Sequence, residues 1–253
     1  MNIAVCVKQV PDSWAEKKMN GGVLDRQGVD AVLNELDEFA VEEALRIVEA
    51  HGGNGEGGAN TVTVISMGPE RTADAVRKAL SMGADAAIIV TDVALAGSDA
   101  LATSKVLAKV IEDGDFDLVI CGTESTDARM SVVPAMIAQR LAWAQLTFAG
   151  SVNVDAGAVT ITRVTEAGVD TMKAQFPAVI SVVEKINEPR YPSFKGIMAA
   201  KKKSVAIKDG TAGAWSVVVD ATARPPKAAG IKIVDDGNGG KALVDFLVEK
   251  KLI

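Results

Sequence analysis

The sequence is poor in the side chains that most enzyme chemistry uses. It contains one histidine, His51, in 253 residues. A single imidazole argues against a histidine-based metal centre and against a Ser-His-Asp triad. Only two cysteines occur, Cys6 and Cys121. Each sits in an apolar run without metal-ligand spacing, so both read as buried thiols in a reducing compartment. Phe, Trp and Tyr together make up 4% of the chain, too few for a base-stacking nucleic-acid surface. The net charge of -6 argues further against DNA and anionic membranes as partners. No run approaches the ~18 apolar residues of a membrane-spanning helix. The N-terminus shows neither a signal-peptide nor a transit-peptide pattern. A cytoplasmic bacterial protein fits, as does a mature organellar one, with no nucleic acid bound and no membrane insertion expected.

Alanine, valine and glycine are abundant instead, which suits thin strands under closely packed helices. Residues 2–7 read as a buried strand, and 34–49 as an amphipathic helix with Leu36, Phe39, Ala40, Ala44, Ile47 and Val48 on one face and Asn34 as N-cap. The pair Glu42-Glu43 reads as part of that helix's solvated face. A strand at Thr61–Ile65, a helix over 70–82 capped by Gly83, a strand at Ala86–Val90, a helix opened by Ser98 or Asp99, and a strand at Phe116–Cys121 follow. This alternation predicts βαβ units and a parallel sheet. Residues 145–183 hold short alternating runs that predict extra strands, partly antiparallel. The stretch 184–204 is polar and ends in lysines. Residues 205–253 predict an arm with too little core of its own, closed by an apolar-striped helix over Ala242–Leu252.

The run Gly53-Asn54-Gly55-Glu56-Gly57-Gly58 matches GxGxxG but follows a helix and precedes a strand. A dinucleotide fingerprint needs the reverse order, so a surface loop is the better reading. Parallel sheets bind ligands at the carboxyl ends of their strands. The loop from Gly122 to Ser131 occupies such a position, ahead of a helix beginning near Pro134. Its hydroxyls, amides and Arg129 can hold a phosphate. Equally, it can be a solvated loop in which Ser131 caps the helix. The turn Ser66-Met67-Gly68-Pro69 stands at a second strand end. No phosphate-binding GxxxxGK[ST] motif and no GxSxG nucleophile elbow is present. A nucleotide site without chemical machinery suggests binding rather than turnover.

Several ordered segments resemble the beta subunit of electron-transfer flavoproteins. They are Val5–Asp12, Asn34–Ala44, Met67-Gly68-Pro69, Arg77–Asp85, Arg163–Gly168 with Phe176–Ser181, and Asn187-Glu188-Pro189-Arg190-Tyr191-Pro192-Ser193-Phe194-Lys195-Gly196-Ile197-Met198 followed by Lys201–Lys203. The resemblance implies an α/β fold with a Rossmann-like parallel sheet of the adenine nucleotide alpha-hydrolase type, extra antiparallel strands and a C-terminal arm. It implies a nucleotide-binding domain over 1–204 and an arm over 205–253 that packs on a partner. That partner is the alpha subunit of a heterodimer, which holds most of the FAD. Electrons pass from flavin dehydrogenases, such as those of fatty-acid oxidation, to a membrane quinone reductase or similar acceptor.

In the beta site the resemblance implies AMP as a structural ligand, with FAD in its place in bifurcating relatives. Carried over by position, the nucleotide contacts are Cys6, Asn34, Met67 and Gly122, Thr123, Ser125, Thr126, Asp127, Arg129, Ser131, Val132 and Val133. Tyr191, Phe194 and Ile197 fall in the segment that docks the dehydrogenase. Two positions depart from the family. Met130-Ser131-Val132-Val133 stands where relatives carry polar Asn-Gln-Thr or Thr-x-Gln-Val groups, with Arg129 as a candidate substitute donor. Val164 stands where they often carry a Glu. A stand-alone nucleotide-binding α/β protein is the alternative from another class. The missing catalytic set and the unpaired arm speak against it.

Overall fold

The computed structural model describes residues 1–20, 22–54, 58–222 and 224–253. In chain order the first strands are β1 (Asn2–Cys6), β2 (Gln9–Pro11), β3 (Met19–Asn20), β4 (Val23–Leu24) and β5 (Ala31–Leu33). Then come α1 (Glu35–Ala50), β6 (Thr61–Met67), α2 (Thr72–Met82), β7 (Ala86–Val90), α3 (Ala100–Glu112), β8 (Leu118–Gly122) and α4 (Val133–Leu141). The later elements are β9 (Ala144–Ala149), β10 (Ser151–Asp155), β11 (Ala158–Thr165), β12 (Gly168–Gln175), β13 (Ala178–Val182), α5 (Phe194–Ala200), β14 (Val205–Lys208) and α6 (Gly239–Glu249).

Seven strands form one parallel sheet in the order β14-β7-β6-β1-β8-β13-β9. Burial on both faces explains the near-continuous apolar strands. Ile3 and Val5 of β1 face a core built with α1 and α2, while Ala4 and Cys6 face one built with α3 and α4. The chain runs from β1 outward through β6 and β7, then crosses to β8 on the other side of β1. The connections leaving β1 and β8 therefore diverge, and a crevice opens at the carboxyl ends of these two strands.

Most of the predicted elements form within a residue or two of the expected ends. Asp99 caps α3 by accepting from the Ala102 amide, and Gly83 ends α2 at φ 146°, a backbone that L residues rarely adopt. Of the glycine-rich run, residues 55–57 lie outside the described residues; its flanks do connect α1 to β6.

Three expectations change. Of the extra strands, only β10–β12 make an antiparallel sheet, whereas β13 inserts between β8 and β9 in the main sheet. All five of its residues are buried, Ser181 among them, as a central parallel strand requires, and alternation alone does not reveal it. The sheet also continues beyond residue 204, because β14 pairs in parallel with β7. One compact unit spans Met1–Val219 and the other Asp220–Ile253. In the second unit, α6 buries none of its side chains. Finally, Glu42 and Glu43 are buried, not solvated, for a reason given below. No helix among the described residues is long and apolar enough to cross a membrane.

Candidate functional site at the strand ends

The floor of the crevice is made by two thiols. Parallel pairing puts Cys6 of β1 opposite Cys121 of β8. Both are buried, and the hydrogen bond with Cys6 together with burial pushes the Cys121 thiol well above its usual range. A buried thiol held protonated in this way, as Cys121 is, is a packing surface, not a nucleophile. Met67, from the end of β6, and Val133, from the start of α4, pack against the same apolar cluster.

Asn34 stands at the N-cap position of α1, but its side chain makes no cap bond. It reaches instead to the loop after β8. Its Nδ2 donates to the Glu124 carbonyl at 2.9 Å, and its Oδ1 accepts from the Thr126 amide at 3.1 Å. One side chain thus serves two backbone groups and fixes the loop against the first turn of α1. Gly122 is needed at this junction. A Cβ there would lie 2.5 Å from Asp37 Oδ1 and 2.7 Å from the Leu36 carbonyl oxygen.

Asp37 lies behind the loop and is almost completely buried. Its Oδ2 accepts from the Lys8 amide at 2.8 Å. Burial pushes its carboxyl up to about 7, against the opposing influence of Asn34 and Lys8. Asp127 is a second acid whose side chain is only 2% exposed. Lys8 Nζ donates to its Oδ1 and Arg26 Nε to its Oδ2, each at 2.7 Å. Burial pushes Asp127 up, but Lys8 and Arg26 outweigh it and hold the carboxyl below its usual range. Lys8 also donates to Ser125 Oγ at 3.3 Å.

The sequence-predicted residues therefore divide. Cys6, Asn34, Met67, Gly122, Ser125, Thr126, Asp127 and Val133 come together around the crevice. Thr123 turns away, donating from its hydroxyl to the Val182 carbonyl at 2.7 Å. Ser131 does not cap α4. It adopts φ 56° and its hydroxyl donates to Glu124 Oε2 at 2.7 Å. The N-cap is Val132, with no side-chain bond to the helix, so the Val133 and Ala135 amides keep their hydrogen-bonding capacity, while Pro134 between them has none. Arg129 also has positive φ, 51°, and its guanidinium lies exposed at the loop's tip. Sequence reasoning missed Lys8, Arg26 and Asp37. The family-like string Lys8-Gln9-Val10-Pro11-Asp12 carried a signal for Lys8. Arg26 has none, because it reaches Asp127 across 101 residues.

A family model for the electron transfer flavoprotein domain matches residues 21–211. The electron transfer flavoprotein subunit beta of Mycobacterium bovis is 48% identical over 266 aligned positions, covering 100% of this chain and 99% of that protein. This chain belongs to the electron transfer flavoprotein family, on the beta-subunit side. The subunit beta of Mycobacterium leprae matches equally, at 48% identity over 100% of this chain and 99% of its own. That of Thermoanaerobacterium thermosaccharolyticum is 40% identical over 82% of this chain and 78% of its own length. In this beta-type chain the parallel sheet and its divergent crevice have the architecture that the flavoprotein resemblance implied.

A second region concerns the segment 187–198. Tyr191 is 96% exposed and Phe194 80% exposed, with Ile197 and Met198 half-exposed beside them. Both rings of the segment lie in solvent. Large apolar side chains rarely stay uncovered together without a use. Here the burial of Glu42 and Glu43 is explained. Arg190 pairs with Glu42, and Asn187 donates to Glu43 Oε2 at 2.9 Å. Glu42 and Glu43 are covered by this segment, not by water.

Proposed function

We propose that the chain works as half of a redox heterodimer, with AMP as a structural ligand in the strand-end crevice. FAD, held mainly by the alpha subunit, supplies the redox chemistry when bound. Electrons then pass from flavin dehydrogenases to a membrane quinone reductase or similar acceptor. The observation that carries the nucleotide reading is the convergence of phosphate-binding features on one loop. Lys8, Arg26 and Arg129 bring positive charge to it. The start of α4 has no side-chain cap, and such a terminus suits an anion. Cys6, Met67 and Val133 offer an apolar wall suited to a base.

The residues fit a monophosphate better than a dinucleotide. The one hydroxyl late in the loop, Ser131, is already committed to Glu124. That leaves Arg129 and the backbone amides as donors, enough for one phosphate group. Asp127 serves as the acid that holds Lys8 and Arg26 in place.

Docking of the dehydrogenase is assigned to Tyr191, Phe194 and Ile197. Exposed aromatic side chains rimmed by charge are the usual anchors of an interface. β14 belongs to this chain's own sheet, and the chain beyond it is assigned to the alpha subunit's surface. Trp215, Val217 and Val219 are exposed on the extended stretch, and Leu243, Val244 and Val248 on α6. Such apolar area is more than a lone soluble chain normally leaves in water. A cytoplasmic setting follows from the same reading.

The deciding experiment is to co-purify the chain with its alpha subunit, denature the complex and identify the released nucleotides. One FAD and one AMP per heterodimer are expected. Two FAD would replace the AMP reading with the bifurcating one, and FAD alone would refute a beta-site nucleotide.

A further inference from the structure

The exposed rings of the segment 187–198 sit between two anchorages of unusual density. On the upstream side the attachment is to α1. Arg190 Nε donates to Glu42 Oε2 at 2.7 Å and Arg190 Nη2 to Glu42 Oε1 at 3.0 Å, a two-pronged pair. The same guanidinium donates from Nη1 to Glu49 Oε1 at 2.5 Å and from Nη2 to Glu49 Oε2 at 3.0 Å. Glu42 and Glu49 are seven residues apart, which places them two turns apart on one face of the helix. A planar guanidinium is the one side chain that can satisfy both carboxylates at once. Three residues earlier, Asn187 Nδ2 donates to the Phe39 carbonyl at 3.0 Å as well as to Glu43.

On the downstream side the attachment is to α2. Gly196 packs so closely that a Cβ there would lie 2.5 Å from the Ser81 carbonyl oxygen. Arg77 of α2 donates to the Ala200 carbonyl at 2.5 Å and to the Lys203 carbonyl at 3.2 Å. Lys203 in turn donates to the Leu80 and Ala84 carbonyls at 3.1 and 2.6 Å. Its ammonium is spent on the scaffold, unlike those of the exposed Lys201 and Lys202. Between the two anchorages remain only residues 191–195, and within them Ser193 caps α5 by accepting from the Gly196 amide at 3.1 Å.

We infer that Arg190 is a positioning residue for partner docking: with Gly196 it stretches the segment 191–195 as a fixed bridge between α1 and α2, so that Tyr191 and Phe194 are held in their docking geometry before the partner arrives. The inference rests on the reading of this segment as the dehydrogenase-docking surface. Its physical content is entropic. A loop of this length left free would have to be ordered at the moment of binding, and that cost subtracts from affinity. A bridge ordered in advance removes it. Arg190 touches no cofactor in this scheme and acts only through the two rings.

The test uses the flavin-loaded heterodimer as electron acceptor for a purified flavin dehydrogenase of the same organism that reduces it, with KM and kcat measured separately. Phe194→Ala should raise KM for the heterodimer. Arg190→Ala should raise it by on the order of tenfold, with kcat little changed, and Arg190→Lys should recover only part of the loss. In a Phe194→Ala background, Arg190→Ala should add little, because a positioned ring that is absent cannot be mispositioned.

Arg190→Ala leaves Glu42 buried without its partner and can unfold the chain. Gly196→Ala is the second variant, since it lifts the other end of the bridge without stranding a charge. A raised KM for Gly196→Ala with flavin content and melting temperature retained supports the inference. Unchanged KM in Gly196→Ala or in a folded Arg190→Ala, while Phe194→Ala raises it, overturns the bridge alone. Unchanged KM in Phe194→Ala overturns the docking reading itself.

Discussion

Replacing Asp37 by Asn should make stability less dependent on pH, and the direction follows from where the carboxyl sits. Asp37 is buried behind the loop after β8, with Cys121 and Asp127 near it and the Lys8 amide as donor to its Oδ2. Its folded-state pKa is about 7, against an ordinary 3.8, because burial disfavours the charge. Between these values the folded chain holds a proton that the unfolded chain has released. Stability in this window therefore falls as pH rises, and below about pH 4 the effect vanishes because both states are protonated. The difference of roughly three pKa units corresponds to on the order of 4 kcal/mol at pH 8.

Asn keeps an acceptor for the Lys8 amide and never ionises. The Asp37→Asn chain should match the wild type near pH 4 and exceed its unfolding free energy progressively up to pH 8. Urea denaturation of both proteins across that range gives the difference curve directly, and other titrating groups cancel in it. A difference that stays flat with pH would refute the reasoning, since Asp37 would then titrate as it does in the unfolded chain. A variant less stable at pH 8 would show that the ionised carboxylate is stabilised by Lys8 more than it suffers from burial.

Arg129→Ala should lower AMP retention in the heterodimer, by a loss worth roughly 1.5–3 kcal/mol if its guanidinium grips the phosphate, while leaving the fold intact because the side chain is exposed; unaltered AMP content would return Arg129 to a surface role. Amides of α6 should exchange quickly in the free chain and slowly in the heterodimer, as hydrogen-exchange mass spectrometry can show, and equal protection in both would exclude docking on the alpha subunit. The chain expressed alone should be colourless, and stoichiometric flavin absorbance in it would contradict the assignment of the isoalloxazine contacts to the partner.

Much of the architecture was legible in the sequence because it is set locally. Hydrophobic spacing, Gly83 and Asp99 mark where helices and strands begin and end, and these signals act over a few residues. The resemblance, too, is written in short ordered strings, one of which contains the exposed Tyr191 and Phe194, whereas the strand-end loop was legible from its place after a strand. Tertiary structure decided matters that depend on residues distant in the chain. The pattern that marks β13 as apolar cannot say that it enters the main sheet beside β8, nor can β14's four residues reveal β7 as their neighbour, because strand pairing is not a local property. Asn34 looked like a cap, but the loop some ninety residues on competes for the same amide group and wins. Glu42 and Glu43 looked solvated, because a helix's polar face is normally left to water; Arg190 and Asn187 cover it only once the chain has folded. Burial of Asp37 likewise exists only when Gly122 and the β8 loop close over it, so its shifted ionisation is a property of the packed crevice and not of any local string of residues.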